Sequence, residues 1–139
     1  MGKTDNLRKQ HEEMVSIVSR MSAILNRERL SKDATEMRSL LSQLAGKVSV
    51  HLAMEDKALY PHLLEHSNEI VKNMARNYMA EMGDIGNTFK GYIKKWPDPV
   101  SIQQDSDLFI KETKTVIDVL SKRIDKENRE LYHTVDTLT

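Results

Sequence analysis

Apolar residues recur at helical spacing in four blocks of this chain, and no strand-like alternation is present, so the pattern predicts an all-helical fold. The first block is Leu7, His11, Met14, Val18, Met21 and Leu25. The second is Met37, Leu41, Leu44, Val48 and Leu59. The third runs Val71, Met74, Tyr78, Met82, Ile85, Phe89, Tyr92, Trp96. The fourth runs Val116, Leu120, Ile124, Glu127, Leu131, with Ile117 and Arg123 beside it. Local signals divide the blocks. Asp33 and Glu36 have the spacing of a capping pair. Pro61 disfavours helical geometry at Tyr60, so the second helix is expected to kink or end there. Ser67 is placed to cap the third helix. Pro97 closes it, and Asp98-Pro99 suits the start of a new one. Helices of roughly 20 to 30 residues with short links favour an antiparallel up-down-up-down four-helix bundle in one domain, residues 1–139.

The second stripe is broken in an informative way. His51 and Glu55 occupy two of its beats, and residues four apart share a helix face. A charge on a buried face is costly unless it is paired or bound to a metal. Each of the other stripes carries a comparable residue: His11, Tyr78, and Glu127 with Arg123. All lie near mid-helix, so an antiparallel bundle would bring them to one level, where inward histidines and carboxylates build metal sites. Imidazole with carboxylate suits iron, manganese or zinc. Taken singly, each has a plainer reading. A lone histidine on an apolar face is ordinarily a hydrogen-bonded core residue, and a tyrosine such as Tyr78 buries its ring and finds one partner for its hydroxyl. Convergence from four helices favours a shared polar site. His62, His66 and His133 read as surface residues, and the eight methionines as packing.

Composition removes several classes. The absence of cysteine excludes thiolate sites and cysteine nucleophiles. Twenty-one basic and 21 acidic residues cancel, so no net field draws nucleic acid or anionic membrane. Phe89, Tyr92 and Trp96 lie beside Lys90, Lys94 and Lys95, but their helical spacing assigns the rings to the core. The Met1-Gly2 start lacks a signal-peptide apolar region, and Asn6 stands where a myristoylation motif wants Ser or Thr. A soluble cytoplasmic protein without membrane or nucleic-acid partners is the expectation.

Together, His11, then His51-x-x-x-Glu55-Asp56 running into Leu59-Tyr60-Pro61, then Ile124-Asp125-Lys126-Glu127 with Leu131-Tyr132, resemble the bacterial HHE cation-binding domains of the hemerythrin family. The resemblance implies a four-helix bundle around a non-haem iron site, usually dinuclear, that binds dioxygen or responds to oxygen, nitric oxide or iron. It marks His11, His51, Glu55 and Glu127 as the metal ligands. Two positions depart from it. Tyr78 aligns where the third helix should offer a histidine, and Arg123 stands where the fourth should read His-x-x-x-Glu.

Arginine stays protonated and offers no lone pair. A guanidinium about 5 Å from a divalent ion would be repelled by roughly 6 to 7 kcal/mol at an effective dielectric of about 20. Two arrangements meet that constraint. Arg123 turns inward, its fork bridging Glu55 and Glu127 in a metal-free core; or it points to solvent, and the four remaining ligands hold one iron or zinc ion with Tyr78 nearby. The first implies a signalling or interaction module that works through a protein partner or a homodimer. The second implies a module sensing oxygen, nitric oxide or metal supply. No nucleophile-base pair, phosphate loop or cofactor fingerprint supports an enzyme.

Overall fold

A computed structural model describes residues 4–138. The Met1-Gly2 terminus discussed above lies outside them. Among the described residues the regular structure is entirely helical: α1 (Asp5–Ile24), α2 (Arg27–Lys32), α3 (Thr35–Met54), α4 (Tyr60–Leu64), α5 (Glu69–Lys95), α6 (Pro99–Gln104), α7 (Ser106–Lys126) and α8 (Tyr132–Thr137). Two five-residue π turns, Glu55–Leu59 and Glu127–Leu131, join α3 to α4 and α7 to α8. The four long helices, with the two π turns, carry most of the four apolar blocks. No helix among the described residues is long and apolar enough to cross a membrane.

Several boundaries differ from the sequence reading by a residue. Ala34, fully buried, is the residue before α3, and the Asp33 carboxylate accepts from Thr35 N at 2.8 Å. Glu36 does not reach back to complete a capping box; Arg29 on α2 draws it away at 3.0 Å. Asn68, not Ser67, caps α5, because its side-chain oxygen reaches Ile70 N at 2.8 Å. The expected helix start at Asp98 is a full capping box with Ser101. Pro61 lies in the first turn of α4, where its missing N–H costs no bond. The chain therefore continues past it, through a wide turn in which Tyr60 N–H bonds back five residues to the Glu55 carbonyl. Leu25, just past the end of α1, is only half-buried, and Ile17 and Ile24 take inner positions.

α1 lies along α3, and α7 contacts both α1 and α5. The core forms two apolar clusters. The larger gathers Met14, Met21, Met37, Leu41, Leu44, Phe89, Tyr92, Trp96, Phe109 and Leu120 with their neighbours. The smaller gathers Leu7, Leu59, Tyr60, Val71, Tyr78, Leu131, Tyr132 and Val135 with theirs. Along α1, His11 falls between a member of each cluster; so do His51 and Glu55 on the second helical run, and Glu127 on the last. Polar residues on three rods thus meet in a layer separating two apolar regions. Thr4 and Arg8 bond to Asp136 at 2.9 and 3.2 Å, and these bonds tie the start of α1 to α8.

Candidate metal centre

Glu55 and Glu127 each open a π turn, and both are essentially without solvent contact, at 0% and 1% exposure. His11 and His51 are as deeply buried. Short π segments recur at functional sites because the wide turn re-aims the side chains around it.

His11 Nε2 lies 3.0 Å from His51 Nε2 and 2.9 Å from Glu127 Oε1. His51 Nε2 lies 3.4 Å from the same oxygen and 3.3 Å from Glu55 Oε2. One donor atom each from His11, His51 and Glu127 forms a group compact enough to hold an ion. The outer faces of the rings are also fixed. His11 Nδ1 bonds to Asn128 Oδ1 at 2.9 Å and His51 Nδ1 to Gln10 Oε1 at 2.8 Å. Amide oxygens only accept, so both Nδ1 atoms carry hydrogen, and each ring in its neutral form turns an Nε2 lone pair inward. Gln10 is held in that orientation by its amide nitrogen, which donates to the Met54 sulfur. Outer partners of this kind are what orient histidine ligands in metal sites.

The Arg123 guanidinium turns inward, but it does not pair with Glu55. Its Nε donates to Glu127 Oε2 at 3.0 Å, its other nitrogens to Glu81 Oε2 at 2.9 Å and the Tyr78 carbonyl at 2.8 Å, and its face rests on the Tyr78 ring. The partner of the fork is therefore Glu81, a half-exposed carboxylate on α5 that lies nearer than Glu55. Tyr78 does not join the donor group: its hydroxyl bonds to Glu130 and the Lys126 carbonyl. Glu55 instead accepts from Tyr132 at 2.8 Å and, at 3.5 Å, from Tyr60.

Charge follows from these contacts. Burial opposes protonation of His51, yet its bonds to Glu127 and Glu55 prevail and push its pKa up to about 9 in the metal-free protein. Burial likewise opposes ionisation of Glu127, but His11, His51 and the Arg123 charge hold its carboxyl well below the usual range. Burial raises Glu55.

The sequence model of the hemerythrin HHE cation binding domain matches residues 2–135. The chain belongs to the hemerythrin family. No curated protein and no solved structure matches it. Domains of this family bind metal ions, and in this hemerythrin-family domain His11, His51 and Glu127 could hold one between two inward imidazole nitrogens and a carboxylate oxygen.

Tyr132 was not among the site residues expected from sequence, although its hydroxyl lies 2.8–3.3 Å from all four of His11, His51, Glu55 and Glu127. A signal for it exists. Glu55-x-x-x-Leu59-Tyr60 is repeated as Glu127-x-x-x-Leu131-Tyr132, and both copies build the same π turn followed by a buried tyrosine. Gln10, Asn128 and Glu81 leave no such trace.

Proposed function

We propose that this domain, an up-down-up-down bundle of hemerythrin type in its four long helices, is a non-enzymatic, cytoplasmic module that holds a single metal ion, iron or zinc, between His11, His51 and Glu127, with Glu55 as the adjoining carboxylate. The observation that carries the reading is the pair of fixed rings. Two Nδ1–H groups anchored on Gln10 and Asn128 leave two Nε2 atoms 3.0 Å apart facing each other and two carboxylates, an arrangement that repels itself unless a cation or extra protons sit within it. Arg123 is compatible with one ion because Glu127 stands between them, Oε1 toward the histidines and Oε2 toward the guanidinium. The same bond takes the oxygen that a second ion would need, which argues for one ion instead of two. An ion of this kind supplies Lewis acidity and, as iron, a redox change. A protein donor set smaller than six leaves room for a small ligand such as oxygen or nitric oxide, which suits sensing.

The test is metal content after anaerobic loading with ferrous iron or zinc and gel filtration. One equivalent per chain is expected, lost in His51→Ala and in His11→Ala. A second reading rests on Arg123: its bond to Glu127, together with a protonated His51, balances the core without metal and leaves an interaction module. Wild-type protein that emerges without metal supports that reading and rejects the first.

A further inference from the structure

We propose that Tyr132 is itself a ligand of this ion, its phenol oxygen completing a tetrahedron with His11 Nε2, His51 Nε2 and Glu127 Oε1, while Glu55 serves as the acceptor of its proton; this rests on the metal-binding reading above. The four atoms are mutually close along all six edges. The histidine nitrogens are 3.0 Å apart, and Glu127 Oε1 is 2.9 and 3.4 Å from them. The Tyr132 oxygen is 3.3 Å from His11, 3.1 Å from His51 and 3.1 Å from Glu127. A regular tetrahedron with edges of this size has its centre about 1.9 Å from each corner, close to the ordinary bond length from zinc to imidazole nitrogen or carboxylate oxygen.

Hydrogen bonding alone does not account for the figure. Both Nδ1 hydrogens are committed to Gln10 and Asn128. Tyr132 brings one hydrogen, and each ring contributes another only as an imidazolium. Three hydrogens at most would serve six edges, so some contacts set electron pair against electron pair or share a hydrogen. A central cation satisfies all four atoms at once.

Glu55 is placed for the remaining role. Its Oε2 accepts the Tyr132 hydroxyl at 2.8 Å and meets the tetrahedron along the Tyr132–His51 edge. With an ion held there, Tyr132 would offer its phenol oxygen, its O–H bond would break, and the proton would pass to Glu55 Oε2. No electron is transferred. The other copy of the motif differs: Tyr60 reaches Glu55 at 3.5 Å, and no hydrogen bond joins it to His11 or His51.

The experiment loads the full chain with ferrous iron anaerobically and oxidises it with ferricyanide. The expected result is a visible phenolate-to-iron charge-transfer band with phenolate vibrations in resonance Raman, present in wild type and in Tyr60→Phe. Tyr132→Phe, checked for helicity by circular dichroism, should lose the band and bind iron at least about tenfold more weakly. The Raman spectrum of wild type reads the ligand even if that variant fails to fold. One equivalent of iron with no phenolate signature overturns the Tyr132 assignment and leaves the metal reading intact. A band that survives in Tyr132→Phe also overturns the assignment. Wild type that binds neither iron nor zinc overturns both.

Discussion

Glu127 has two oxygens and gives them to different neighbours, the histidines on one side and Arg123 on the other. Breaking a buried ion pair from one end leaves an uncompensated charge, at a cost of about 3 to 5 kcal/mol. Arg123→Met should therefore lower stability in urea denaturation by about 3 kcal/mol, and a loss under about 1 kcal/mol would show that the bond to Glu127 contributes little. Protonation supplies a second prediction for metal-free protein. His51 is raised from 6.5 to about 9, so its contribution is complete below pH 6.5 and is lost as pH climbs through about 9. Glu127 is depressed, so its contribution is present above its ordinary 4.5 and is lost as pH falls toward its lower folded value. The melting temperature of chelator-treated protein should fall on both sides of a plateau between these limits. A melting temperature that keeps rising from pH 7 to 9 would contradict the His51 assignment. His51 and Glu55 were legible in the sequence because they interrupt a stripe that is otherwise apolar. Tyr132 was legible only through the repeat of Glu-x-x-x-Leu-Tyr, because a tyrosine on an apolar stripe looks the same whether it packs or binds. The role of Arg123 was half legible: an inward guanidinium needs carboxylates, but Glu81 sits on the outer side of a different helix, and spacing within one helix does not report it.

Among the elements, α5 is the one most open to improvement. It carries Gly83, Gly86 and Gly91 in its interior, where each glycine costs roughly 0.5 to 1 kcal/mol relative to alanine. A Cβ at Gly91 would meet nothing within 4 Å, whereas one at Gly86 would meet Leu52 Cδ1 at 3.3 Å. Gly91→Ala should raise stability by roughly 0.5 to 1 kcal/mol, and Gly86→Ala by less, since Leu52 must yield. Equal gains in thermal melts would show that α3 and α5 are not as close there as the structure has them. The long helices were readable because three or more turns repeat one face. The six-residue α2 was not, and of α6 only the start at Asp98-Pro99 was, since so short a segment completes too few turns to declare a period. Caps were read to within a residue for a related reason: Ser67 and Asn68 are both good caps, and the choice rests on which side chain reaches the first free N–H.

For the whole molecule, an ion that binds only the folded state adds stability by mass action, about 2.7 kcal/mol at a hundredfold excess over its dissociation constant. Zinc should accordingly raise the melting temperature of wild type and leave His11→Ala unmoved; equal shifts in both proteins would place the binding elsewhere. Because ligands shed protons on binding, the zinc effect should grow from pH 6 to 8. Two apolar clusters flank the polar layer, so loss of the layer's neutrality is felt by both. The layer is not sealed electrically. Arg123 grips Glu127 with one edge and Glu81 with the other, and Glu81, half in solvent, also holds Lys126 at 3.2 Å. Whatever draws on Glu127 from within loosens or tightens that grip, and the field at an outer face of α5 changes with it. A neighbour resting against Glu81 would register the state of the interior without any passage leading there.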